Sequence, residues 1–204
     1  MKRKRTRRIA LSATAFLVAS VTFFYTLYRP WQLTWGATAD EVARPMAGDG
    51  LVEKPTFNAT RAVTVHAPAE RIWPWIVQMG YKRAGFYSWD RLDNDGIPSA
   101  ERIIPEYQDL AVGDIVPLST STDAEVVDME TNRGLLLVFP SDGTVTWAWG
   151  LYPIDAERTR LVSRLRWRTT SVVSQFMLDA FEIIMMRKCL LGIKRRAEAQ
   201  IDPT

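Results

Sequence analysis

Between Arg61 and Asn94 a strand, a helix start and an aromatic-rich loop follow one another without spare residues, and this block constrains the chain more than any other. Val63 and Val65 alternate with Ala62, Thr64 and His66, the period of two expected of a strand with unlike faces. Ala67-Pro68-Ala69-Glu70 then opens a helix. Pro68 sits in the first turn, where a missing N–H costs least, and Glu70 lies near the positive end of the dipole. Pro74 removes the bond to the Glu70 carbonyl and predicts a kink or a restart, and Gly80 ends the helix. Tyr81, Phe86, Tyr87 and Trp89 crowd the loop around Gly85, too much apolar area to leave in water.

From residue 114 onward, segments alternate with turn signals at the short intervals of an antiparallel meander, with strands expected at 114–118, 124–130, 135–139, 144–152 and 158–169. In the fourth, Val145, Trp147, Trp149 and Leu151 share one face, which must be covered. In the fifth, Leu161, Ser163, Leu165 and Trp167 alternate with an arginine row, Arg160, Arg164, Arg166 and Arg168, that we expect to face solvent. Ser171 caps a last helix, whose Val173, Phe176, Met177, Ala180, Phe181 and Ile184 recur at three and four as an apolar stripe expected to face the core.

The order of these pieces resembles the START-like, helix-grip superfamily (SRPBCC), in its polyketide cyclase/dehydrase-like branch. The likeness is carried by the strand leading into Ala67-Pro68-Ala69-Glu70, by Ile72-Trp73-Pro74-Trp75, Gln78-Met79-Gly80 and Gly85-Phe86-Tyr87-Ser88, and by the strand ending Thr159–Arg164 with a long helix after it. The resemblance implies an α+β fold in which a curved antiparallel sheet grips a long C-terminal helix around an apolar cavity. It also implies functions that range from lipid transfer to ring closure.

Ile9 to Tyr28 contains no charged residue, and a helix of that length, at ~1.5 Å per residue, crosses the ~30 Å hydrocarbon layer. Basic residues precede it and Tyr25, Tyr28 and Trp31 mark its far end, a positive-inside flank and an interfacial belt. The expected organisation is a basic cytoplasmic tail at 1–8, a single transmembrane helix at 9–28, a linker at 29–56 and an extracytoplasmic domain at 57–200. A rival reading is a cleaved signal peptide with Val18-Ala19-Ser20 as its site; the apolar run continuing through Val21, Phe23 and Phe24 favours the anchor. Prolines and glycines between residues 30 and 58 read as a tether, with Trp31, Leu33 and Trp35 either at the lipid surface or packed on the domain.

The whole chain is +3, but Lys2, Arg3, Lys4, Arg5, Arg7, Arg8 and Arg29 all precede residue 30, so residues 30–204 carry a net −4. A mildly acidic globular part argues against a nucleic-acid partner, whose binding is mostly electrostatic. One cysteine, Cys189, forbids an internal disulfide and a thiolate metal cluster, and no zinc spacing or phosphate loop stands in the sequence, so neither a metal nor a cofactor is expected. Ser88–Gly96 fails as a calcium loop. Aligned on Gly96, its first and last ligand positions are Arg91 and Arg102.

The only histidine, His66, has no acid placed beside it by spacing, so no acid–base dyad is legible. Trp75, Tyr81, Phe86, Tyr87, Trp89, Trp147 and Trp149, with Phe176, Met177 and Phe181 on the helix, could line a cavity for an apolar small molecule or lipid, or form an ordinary core. Two functions stay open: a non-catalytic membrane-held binder, which we prefer, and a cyclase- or dehydratase-like enzyme. For the enzyme the resemblance makes Asp90, Tyr87 and Arg83 the candidates for polarising a substrate.

Overall fold

The computed structural model describes residues 2–141 and 144–199, with side chains from residue 11 onward. Met1, Gln200 and the side chains of the basic tail lie outside the described residues. The chain runs α1 (Lys2–Phe23), a π-helical turn (Phe24–Tyr28), α2 (Arg29–Leu33), α3 (Ala39–Ala43), β1 (Phe57–Val65), α4 (Ala69–Val77) and α5 (Asp90–Asp93). It continues through β2 (Ile115–Pro117), β3 (Asp123–Glu130), β4 (Gly134–Pro140), β5 (Thr144–Pro153), β6 (Thr159–Trp167), α6 (Val172–Met177), a second π-helical turn (Leu178–Glu182) and α7 (Ile183–Ala199).

The six strands form one antiparallel sheet in the order β1-β6-β5-β4-β3-β2, and β3 carries a bulge between Val126 and Asp128, a feature that bends a strand. This is the helix-grip arrangement that the resemblance implies. One face, bearing Val63, Leu161, Trp147, Trp149, Leu135 and Leu137, packs with α4 and the α7 residues Met186, Cys189, Leu190 and Ile193 in a single core. Pro74 does not break α4. The helix continues to Val77, one missing hydrogen bond being offset by the burial of Ile72, Trp73, Trp75, Ile76 and Val77.

The other face of the sheet is covered too, which overturns two expectations. The segment read as a tether is a strap lying across this face. Gly36 meets the Ala62 carbonyl so closely that a Cβ there would stand 2.1 Å from the oxygen, and its φ of +73° suits glycine. Beneath the strap the arginine row is largely buried instead of solvent-facing. Arg164, 3% exposed, donates to Asp49, to Thr60 Oγ1 and to the carbonyls of Glu41, Val42 and Arg44 at the C-terminal end of α3. Arg160 forks onto Glu41, and Arg166 reaches Asp49 and the Val52 carbonyl; Arg168 alone is exposed. The strand register is as the alternation predicts. A face lined with guanidinium groups is covered because the strap supplies carboxylates and helix-end carbonyls to meet them.

Of the three apolar residues in this stretch, Trp35 packs against the core and lies 5.1 Å from Arg187, Leu33 packs on Phe57, Ala59 and Leu178, and Trp31 is 49% exposed.

Candidate functional site

Where β5 and β6 meet the start of α7, an open pocket of about 220 Å³ indents the surface. Trp147 on β5 and Leu165 on β6 form its sheet side, Phe139 and Leu118 one flank, Phe86 and Ser88 the loop side, and Met185, Met186 and Cys189 the helix side. The Trp147 indole is held by its N–H, which donates to Ser163 Oγ at 2.9 Å, and by Trp149 and Phe86, with ring centroids 5.1 Å and 6.2 Å away. The volume lies below the ~300–1,000 Å³ of sites that enclose a drug-sized molecule, so it suits a small apolar molecule or the end of a longer one.

Two carboxyls reach this apolar space: Asp93 at the end of α5 and Glu182 in the π-helical turn before α7. Burial raises both above the ordinary carboxylate range, while Arg61 acts in the opposite direction on Glu182 and Ser88 on Asp93. Glu182 is engaged by the buried Arg61 guanidinium, which also donates to the Gln32 carbonyl and to Gln32 Oε1, both at 2.7 Å. Asp93 differs, because its Oδ1 is buried with no hydrogen-bond partner. Burial also pushes the Cys189 thiol up, so it behaves as an apolar wall and not as a nucleophile.

The structure brings together only part of the set expected from sequence. Phe86 and Trp147 line the cavity. Trp75 and Trp149 are buried in the core beside it, Trp149 against Trp147; a separate cleft of about 790 Å³ lies near β3–β5. Tyr81 bonds to Asp95 at the surface end of its loop, and Trp89 is 45% exposed under the Lys188 ammonium at 3.6 Å. Phe176, Met177 and Phe181 are absent from the cavity altogether: they point outward and are 59%, 51% and 47% exposed.

The three residues weighed as catalytic are committed to structure. Tyr87 Oη donates to the Trp75 carbonyl at 3.0 Å and accepts from Gln78 Nε2 at 2.9 Å, and burial raises its pKa. Asp90 accepts from Ser99 Oγ, which in turn accepts from the Tyr87 N–H. Arg83 donates to the Val77 carbonyl and stacks 4.8 Å from the Tyr107 ring. The Gly85-Phe86-Tyr87-Ser88 turn is thus a clamp between loop and helix. Ser88 Oγ donates to the Met185 carbonyl, Arg196 covers the Tyr87 ring at 4.6 Å, and Gly192 lets α7 approach the Tyr87 backbone. His66, directly after β1, pairs with Glu198 at 3.0 Å on the surface.

No protein-family model matches the chain, and no curated protein does. Solved structures do. A polyketide-cyclase-like protein of Corynebacterium glutamicum is 18% identical with a TM-score of 0.39, over 71% of this chain and 93% of that one. A conserved protein of unknown function from Enterococcus faecalis is 14% identical with a TM-score of 0.49, over 74% and 77%. A protein of the dynemicin biosynthetic locus is 17% identical with a TM-score of 0.45, over 67% of this chain but 47% of that one, so the chain spans about half its length. At these identities the likeness carries no ligand, activity or residue role across.

Sequence reasoning missed Asp93, Glu182 and Gly192. Asp93 was visible as one acid of a turn, and Glu182 as a charge interrupting the apolar helix run; neither has a spacing signal that connects it to Trp147.

Proposed function

We propose that this protein binds an apolar small molecule, or the apolar end of a lipid, between the sheet and α7, and that α1 holds it at a membrane with the N-terminus cytoplasmic. The observation that carries the binding part is the apolar pocket lined by Phe86, Trp147, Leu165 and Met186. The anchor part is supported by the stretch Leu11–Leu33, which is helical and long enough to cross a bilayer, with none of its apolar 18-residue window buried.

Extraction of the purified full chain and mass spectrometry of the extract test the binding. An apolar molecule recovered at near-stoichiometric amount, together with a saturable rise in melting temperature on adding an apolar fluorescent probe, is the expected result. Recovery of nothing and no saturable shift would reject it. Fractionation tests the anchor: a mature chain starting near Val21 and free of membrane would reject α1 as a span.

One observation favours a second reading. Asp93, half-buried, raised by burial and with Oδ1 buried and unpartnered, is what an acid–base group in a cyclase- or dehydratase-like site would need. Conversion of a polyketide-like substrate that Asp93→Asn abolishes, with binding intact, would decide for the enzyme.

A further inference from the structure

The segment from Val172 to Ile184 is apolar on two opposite sides. Leu178 and Ile183 face inward, while Val172, Val173, Phe176, Met177, Phe181 and Ile184 face outward at 47–82% exposure. The inward side also carries Asp179 and Glu182, each paired with an arginine, so the outward side is the more purely apolar of the two and needs an apolar medium against it. On the outward side the rings of Phe176 and Phe181 meet edge to face with centroids 6.1 Å apart. Such a surface on a soluble domain marks a site of interaction.

What covers it is indicated by its neighbour. Phe176 and Ala180 share a groove with Phe16, Ala19, Phe23 and Phe24 of the apolar N-terminal helix. The two elements are also tied together: Arg29 pairs with the buried Asp179 at 3.0 Å, Tyr28 Oη donates to the Ala180 carbonyl at 3.0 Å, and Arg29 donates to the Thr56 carbonyl. The domain is therefore fixed to the end of α1 and does not swing on a tether. Phe24 lies four residues inside Tyr28, about 6 Å along a helix at ~1.5 Å per residue. Anything packed beside it shares that depth.

Charge points the same way. Both carboxylates of this stretch are turned inward, Asp179 to Arg29 and Glu182 to Arg61, whereas Arg168, Arg187 and Lys188 at its two ends are exposed. An apolar face rimmed by cations suits anionic phospholipid.

We propose that the outward face of Val172–Ile184 is inserted in the lipid leaflet beside α1, with Arg168, Arg187 and Lys188 among the headgroups. The proposal rests on the reading of α1 as a membrane span. It makes the protein monotopic at this second surface, to the ~5–10 Å depth usual for interfacial helices. The inserted helix turn also walls the cavity through Glu182, Met185 and Met186, so an apolar ligand has one helix turn between the leaflet and its site.

The test uses the full chain in nanodiscs of mixed zwitterionic and anionic phospholipid, with an environment-sensitive fluorophore on Phe176→Cys or Phe181→Cys. Leu17→Cys reports the span, and Val112→Cys, 59% exposed, reports water; the native Cys189 is buried and stays unlabelled. Quenching by nitroxide carried on lipid acyl chains is expected at 176 and 181 at about half or more of its extent at 17, and several-fold above that at 112. Quenching at 17 with 176 and 181 behaving like 112 overturns the proposal and leaves the anchor standing. A blue shift at 176 without nitroxide quenching means that a protein, including a second copy of this chain, covers the face, and also overturns it. No quenching at 17 removes the anchor; quenching that persists at 176 then upholds the membrane surface alone, and its loss at both sites rejects the two together.

Discussion

Arg164 donates to the Asp49 carboxylate at 2.8 Å from the middle of a covered sheet face, so a strand and a strap more than a hundred residues apart share an ion pair between a buried arginine and a half-buried aspartate. The guanidinium is satisfied at every nitrogen: Nε by Thr60, Nη1 by Asp49 and the Arg44 carbonyl, Nη2 by the Glu41 and Val42 carbonyls.

Replacing Arg164 with Gln strands those acceptors and leaves Asp49 with only Arg166 and the Met46 N–H. The expected loss is about 1–3 kcal/mol, the cost of leaving the buried acceptors unsatisfied, because Asp49 itself stays partly solvated and paired with Arg166. Denaturant unfolding of the two proteins side by side measures it. A change within about 0.5 kcal/mol would mean that the strap does not stay on the sheet in solution.

Gly192→Ala is expected to loosen the clamp between α7 and the Tyr87 loop. The added Cβ would stand 2.3 Å from the Tyr87 carbonyl oxygen and 2.7 Å from its Cβ, and the backbone cannot yield as a side chain would. Alanine gains roughly 1 kcal/mol in helix propensity, so overpacking must cost more than this for the variant to melt lower. A raised melting temperature would show that the loop moves aside freely.

Asp93 gives a pH signature of definite sign. Burial holds its folded pKa above that of the unfolded chain, so the folded state binds more protons between the two values and stability falls as pH rises through that window, starting near ~4. Asp93→Asn cannot titrate. Relative to the wild type it should gain stability as pH rises from about 4, with little difference below. Parallel melting curves across acid pH that keep a constant offset would contradict the assignment.

Leu165→Phe adds volume toward the cavity instead of into packed core. Where the space is empty in the free protein, the variant should keep or raise its melting temperature while losing most of its apolar-probe binding. A drop of about 1–3 kcal/mol in stability, with binding unchanged, would locate the probe elsewhere and the overpacking here.

Sequence alone determined the relations between neighbours on a single element. Alternation assigned Trp147 and Trp149 to one face of β5, and Leu161 and Leu165 to the face of β6 opposite Arg164, because backbone pleat fixes those relations whatever lies beyond the strand. The block from Arg61 to Asn94 likewise announced its strand, helix and aromatic loop, and the charge-free run announced a helix fit for a membrane. What covers each face was decided elsewhere. Periodicity could not see that a glycine- and proline-rich strap supplies Asp49 and three carbonyls to Arg164, so it read a buried arginine row as solvent-facing. It set the wrong side of Val172–Ile184 against the core, the stripe of Val173, Phe176, Met177, Phe181 and Ile184 that in fact faces outward, because both sides carry large apolar residues and only packing against Phe57, Ala59 and the sheet turns Leu178 and Ile183 inward. The cavity is a product of the same non-local packing. Asp93, Trp147 and Glu182 come together from three separate elements, and no spacing along one chain encodes a meeting that depends on how a helix closes over a sheet.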